Sequence, residues 1–106
     1  MLYLTRKVNQ AVVIGGCTRV TVSAIHRNRC AIGIDWLPAS PVPPIGYDLV
    51  PGKPIEIARD IKVMLRSTRS GQVKLGFKAP RNIPVHRQEI HDRIMEADGD
   101  VYNATS

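Results

Sequence analysis

The sequence predicts a mainly β protein with one C-terminal helix, assembled from two copies of a single β-unit. Three observations carry this. Apolar and polar residues alternate over short runs separated by glycine-bearing turns, the pattern of half-buried strands. A shift of 43 positions lays the first half on the second without a gap, Ile14 on Ile57, Val20 on Val63, Cys30 on Val73, Ile32 on Leu75, Gly33 on Gly76 and Ile34 on Phe77. After Arg87 the apolar period changes from two to that of a helix, with Ile90, Ile94 and Ala97 on one face.

Taken in order, Met1 to Val8 opens with β-formers, and Leu2 and Leu4, expected with Val85 and Ile90 to be core residues first, share one strand face with Arg6. Asn9-Gln10 is a turn, Ala11 to Ile14 a second strand, and Gly15-Gly16 a sharp reversal. Arg19 to Ala24 alternates around Val20 and Val22. His26 to Arg29 makes a polar turn, and Cys30 to Ile34 closes a four-strand meander. Pro38, Pro41, Pro43 and Pro44 then remove backbone donors and stiffen a connector placed at 38–46. Beyond Gly52 the meander restarts with Ile55 and Ile57, then Ile61, Val63 and Leu65, then Val73, Leu75 and Phe77, with Ser70-Gly71 as a hairpin turn. Ile83 and Val85 form a further short strand that passes directly into the helix, in which Glu89 and Arg93 stand one turn apart and are expected to pair. The expected division is repeat one at 1–37, linker 38–46, repeat two at 47–97, and a frayed tail at 98–106.

With 106 residues the chain suits one domain. Fifteen Lys and Arg against nine Asp and Glu give a formal charge of +6. That favours polyanionic partners, nucleic acid first, without separating them from a plainly basic solvated surface. Two cysteines are too few for a disulfide framework, and the first residues lack the apolar core of a signal peptide, so a cytoplasmic protein is expected. No apolar run is long enough for a bilayer. Cys17, His26 and Cys30 lack metal-ligand spacing, and Cys30 aligns with an apolar Val73, so they read as structural. The P-x-x-P spacing from Pro38 to Pro44 reads as linker before SH3 ligand, and Trp36 as an apolar plug. No nucleophile sits beside a base, and no Gly-rich phosphate loop follows a strand. An enzyme, a cofactor and a metal site are therefore not expected.

Two motifs go further. Met1-Leu-x-Leu-Thr-Arg-Lys and Ala79-Pro80-x-x-Ile-x-Val85-His86-Arg87-x-Glu89-Ile90 together resemble the carbon storage regulator family (CsrA/RsmA) of bacterial RNA-binding proteins. The likeness extends through Val12 to Ile34 and Gly52 to Ile94. It implies interleaved β-sheets, normally formed by two chains, with the first strand of one subunit beside the fifth strand of the other. Each such pair makes a site for unpaired GGA-containing RNA, often in a hairpin loop. Here the two copies are expected to form that dimer within one chain, as a monomeric pseudo-dimer.

The copies depart from each other where the family binds RNA. The shift lays Arg6 on Leu49, and the fifth-strand segment of the first copy becomes Pro41 to Ile45, with Pro44 and Ile45 read at the positions of His86 and Arg87. One composite site therefore loses its arginines. The other keeps Leu4, Thr5, Arg6 and Lys7 with Ala79, Pro80, Arg81, Val85, His86 and Arg87. Arginine forks suit guanine acceptors or phosphate, lysines add charge, and unpaired backbone groups of an edge strand read base edges. Few aromatics make a stacking platform a poor expectation. The expected partner is a GGA-bearing mRNA or small regulatory RNA. The alternative is a family-like scaffold that engages a protein antagonist or partner instead.

Overall fold

The structure, a computed structural model, describes residues 1–37 and 41–97; the expected tail at 98–106 and linker residues 38–40 lie outside the described residues. Nine strands precede one helix: β1 (Leu2–Lys7), β2 (Ala11–Ile14), β3 (Thr18–His26), β4 (Arg29–Trp36), β5 (Ile45–Leu49), β6 (Ile55–Ala58), β7 (Ile61–Arg69), β8 (Gln72–Lys78), β9 (Val85–Arg87) and α1 (Gln88–Ala97). They form two antiparallel sheets, ordered β1-β8-β7-β6 and β5-β4-β3-β2-β9. Each sheet takes strands from both halves of the chain, so neither repeat completes a sheet alone.

The 43-residue repeat holds at the level of strand register. Leu2 faces Phe77 and Arg6 faces Val73 across β1 and β8; the shifted pairs, Ile45 with Ile34 and Leu49 with Cys30, face each other across β5 and β4. Even the bulges correspond, between Val22 and Ala24 in β3 and between Leu65 and Ser67 in β7. The turns obey local chemistry: Ser70 and Gly71 both have positive φ, as a two-residue hairpin turn requires.

Between the sheets lies one core drawn from both copies, including Val12, Ile14, Val22, Cys30 and Ile32 with Val63, Leu65, Val73, Leu75 and Phe77. Trp36 and Leu4 pack against it, half-buried. Burial pushes the Cys30 thiol up to about 11, while Cys17 is exposed.

Three expectations change. The connector is shorter than 38–46, because Ile45 and Gly46 pair with Ile34 and Gly33 and belong to β5. Leu2, although on the inward-pointing face with Leu4 and Arg6, lies at the sheet's margin and is 43% exposed. Glu89 does not pair with Arg93 along the helix; a buried arginine of another element claims it, as described next.

Candidate nucleic-acid interface

Alternation along β1 points Leu2, Leu4 and Arg6 inward and Tyr3, Thr5 and Lys7 outward. Arg6 is consequently 5% exposed, a charge placed where the repeat elsewhere puts a leucine. Such a group must find partners or be costly to bury. Its Nε–H donates to the Thr5 carbonyl at 2.8 Å and its Nη1–H to the Ala11 carbonyl at 3.2 Å. Nη1 and Nη2 also clasp both carboxylate oxygens of Glu89, at 3.0 and 3.2 Å. Glu89 lies in the first turn of α1, where the helix dipole favours a carboxylate. The hydrogen bonds from Arg6 hold its carboxyl below the usual range, aided by its backbone and by the charges of Arg6 and Arg87.

The clamp joins the two sheets at one corner. β1 is an edge of the four-stranded sheet and β9 an edge of the five-stranded sheet. The two strands do not pair with each other: β1 bonds to β8, and β9 bonds to β2 through Val12–Arg87, Val13–His86 and Ile14–Val85. Arg6–Glu89 thus ties β1 to the helix that continues from β9, and the first and fifth strands share no ladder. The Asn9-Gln10 turn sends the chain from one sheet into the other and makes a direct β1–β9 ladder unnecessary.

The candidate residues form a strip and not a pocket. At one end Arg6 and exposed Arg87 act on Glu89, and exposed Lys7 follows Arg6 on the other face of β1. Leu4 and Thr5 occupy the middle, where Thr5 faces Lys74 across the ladder and the Lys74 ammonium lies 5.9 Å from the Tyr3 ring centre. At the far end, past Lys78, come half-buried Ala79 and exposed Pro80 and Arg81; Ile83 N–H donates to the Pro80 carbonyl, closing a turn that delivers the chain to β9. Gly15 N–H donates to the Pro84 carbonyl at 2.7 Å, tying that turn to β2. Val85 and His86 are half-buried, and their strand has one free edge. Five residue steps along β1 span about 17 Å, long enough to follow several nucleotides.

The counterpart strip carries different chemistry at its charged positions. Where Thr5 faces Lys74, Asp48 faces Ala31. Arg6 becomes Leu49, fully buried, and Lys7 becomes Val50. On the neighbouring face Arg19 is neutralised by a two-point ion pair with Asp35, whereas the shifted pair is Lys62 opposite Lys78. Glu89, the partner of buried Arg6, is absent from the residues that sequence reasoning assigned to the strip. It stood inside the second motif, but helical spacing assigned it to Arg93, and only the sheet-to-sheet contact reveals Arg6. A groove of about 1060 Å³ lies on the other side of the clamp, lined by Gln10, Arg19 and Thr21 with Gln88, Glu89 and Asp92. Its carboxylates make it a poor home for RNA.

The profile of the global regulator protein family CsrA matches residues 1–39 and 51–96. The chain belongs to the CsrA family. The match breaks over residues 40–50, which include β5, and resumes in the second copy. The chain is also similar to the translational regulator CsrA of Rhodopirellula baltica, 48% identical over 40 residues; the alignment covers 38% of this chain and 57% of that relative. The comparison with solved structures returns no match. CsrA proteins are regulators and not enzymes. Among the described residues no helix is long and apolar enough to cross a membrane.

Proposed function

We propose that this CsrA-family chain is a cytoplasmic regulator of translation that binds unpaired, GGA-containing RNA through one composite strip, the one built on β1, the 79–84 turn and β9. The observation that carries this reading is the asymmetry between the two pseudo-equivalent strips. One keeps exposed Lys7, Arg81 and Arg87 around a braced Arg6; the other substitutes Val50, Pro44 and buried Leu49. Thr5, Lys7, Arg81 and Arg87 present donors to bases and phosphate. Leu4, Ala79, Pro80, Val85 and His86 shape the strip and offer backbone groups. Arg6 acts through position: its guanidinium is spent on Thr5, Ala11 and Glu89, and what it supplies is a tie from β1 to β2 and to the helix that follows β9.

Fluorescence titration with a hairpin RNA carrying GGA in its loop, against the same hairpin carrying CCA, tests the reading. Preferential binding of the GGA hairpin at one RNA per chain is expected. Equal binding of both hairpins, or two equivalent sites on a monomeric chain, overturns it. No observation favours a protein antagonist on this same strip, whose exposed groups are mainly cationic.

A further inference from the structure

The outer face of the four-stranded sheet carries an aromatic ring set among cations. Tyr3 points outward from β1 opposite Gly76 of β8, and Gly76 in turn faces Met64 of β7. A methyl added at Gly76 would stand 2.9 Å from Tyr3 Cε1 and 2.9 Å from Met1 Sδ, closer than a Cβ comes to any neighbour. Glycine is what lets the tyrosine lie against the sheet, and the residue stays 42% exposed. The counterpart pair is Gly46 opposite Gly33, so the pseudo-equivalent place on the other sheet has no ring.

We infer, taking the GGA reading as given, that this face is a second RNA surface on which Tyr3 stacks an unpaired base lying outside the GGA element. Thr5 and Lys7, which belong to the strip, open two further cross-strand rows on the same face, Thr5–Lys74–Ser67 and Lys7–Gln72–Arg69. Strip and face are therefore continuous through β1. The three rows hold Lys7, Lys74 and Arg69, all exposed, and no carboxylate. The acidic residues of this sheet, Glu56 opposite Lys62 and Asp60 in the turn between β6 and β7, fall beyond the Tyr3 row. Glu89, at the end of the strip, is already answered by Arg6.

The chemistry selects single-stranded RNA. Bases stack on exposed rings whatever their identity, while Lys and Arg beside the ring meet phosphates. The Lys74 ammonium, 5.9 Å from the Tyr3 ring centre, offers charge and ring side by side. A depression of about 240 Å³ edged by Thr5, Ser67, Arg69, Gln72 and Lys74 gives a phosphate room between two of the rows. From Tyr3 to Lys7 the strand advances about 14 Å, and from β1 to β7 the sheet is about 10 Å across, the space of a few nucleotides. An acidic protein surface would satisfy the cations alone; the ring beside them, where the other copy has glycine, favours a base.

The test is fluorescence titration of the full chain with the GGA hairpin, blunt-ended or carrying an unpaired uridine tail on its 5′ or its 3′ end. A tail on one end is expected to tighten binding about fivefold or more, the low end for one base on one ring. Tyr3→Leu, which keeps an apolar side chain over Gly76, is expected to abolish most of that gain and leave the blunt hairpin unchanged. Tyr3→Phe is expected to keep the gain, and Arg69→Glu to reduce it. On the parent chain, 2-aminopurine in the tail is expected to be quenched on binding, and an abasic tail to lose most of the gain. These two readings need no variant and decide the matter if Tyr3→Leu fails to fold. Equal binding of blunt and tailed hairpins, a full gain from the abasic tail or from a tail paired into duplex, or an equal loss on both hairpins in Tyr3→Leu overturns the inference. So does a polyglutamate peptide that binds this face more tightly than a uridine oligonucleotide, which assigns it to an acidic protein. Retained GGA preference without a tail effect overturns this inference alone, whereas a tail effect without GGA preference overturns only the reading of the strip.

Discussion

Arg6 and Leu49 occupy the same place in the two copies, facing Val73 and Cys30 respectively, and both are buried. One position thus accepts either an apolar side chain or a guanidinium with four donated hydrogen bonds. Replacing a buried ion pair by a fitting apolar group is often neutral or stabilising. Arg6→Leu is therefore expected to fold, with a melting temperature near that of the parent chain. Its GGA-hairpin affinity is expected to fall at least tenfold, because α1 and β9 lose their tie to β1. Thermal melting and RNA titration on the same sample read both effects.

Glu89 separates positioning from charge. Removing a carboxylate from a basic strip strengthens RNA binding if electrostatics alone matter. Glu89→Ala is instead expected to weaken it several-fold, since the loss of placement outweighs the relief of repulsion. Tighter binding by this variant would leave Arg6–Glu89 as a fold contact without a role in recognition.

The same pair predicts a pH effect with a definite sign. Glu89's carboxyl is depressed in the folded state, mainly by hydrogen bonds from Arg6. Its contribution to stability is present above the unfolded carboxylate range and is lost as pH falls through the lower folded value. The melting-temperature gap between the parent and Glu89→Gln should be full near neutrality and shrink in acid. Because the Glu89 side chain is 52% exposed, the gap is expected to be modest and to narrow in salt.

Arg87 and Leu49 are expected to behave oppositely. Arg87→Ala removes an exposed fork beside Glu89 and should cost binding about 1–3 kcal/mol with little change in stability. Leu49→Ala empties a fully buried position and should cost about 2–5 kcal/mol of stability. The RNA affinity of its folded fraction should be unaltered. Urea unfolding beside titration at low temperature distinguishes the two.

The cysteines give a compact check of the core. Cys17 is exposed, and Cys30 is buried with its thiol raised to about 11. At pH 8 one thiol per native chain should react rapidly with a disulfide reagent, and the second only after unfolding, since the thiolate is the nucleophile. Two fast thiols would refute the shared core.

By itself the sequence determined the strand content, the C-terminal helix, the 43-residue repeat and the unequal strips, because alternation, turn chemistry and motif spacing are local properties that survive in a linear string. It also placed Arg6 on the inward face with Leu2 and Leu4. What it did not contain was which residue answers that arginine. Helical spacing offered Arg93 as the partner of Glu89, a contact between neighbours one turn apart, whereas the observed partner lies in the first strand and meets it only once two sheets have packed. Burial and nonlocal pairing are properties of the assembled sheets, so they alone decided that Arg6 is buried and answered by Glu89 of the helix.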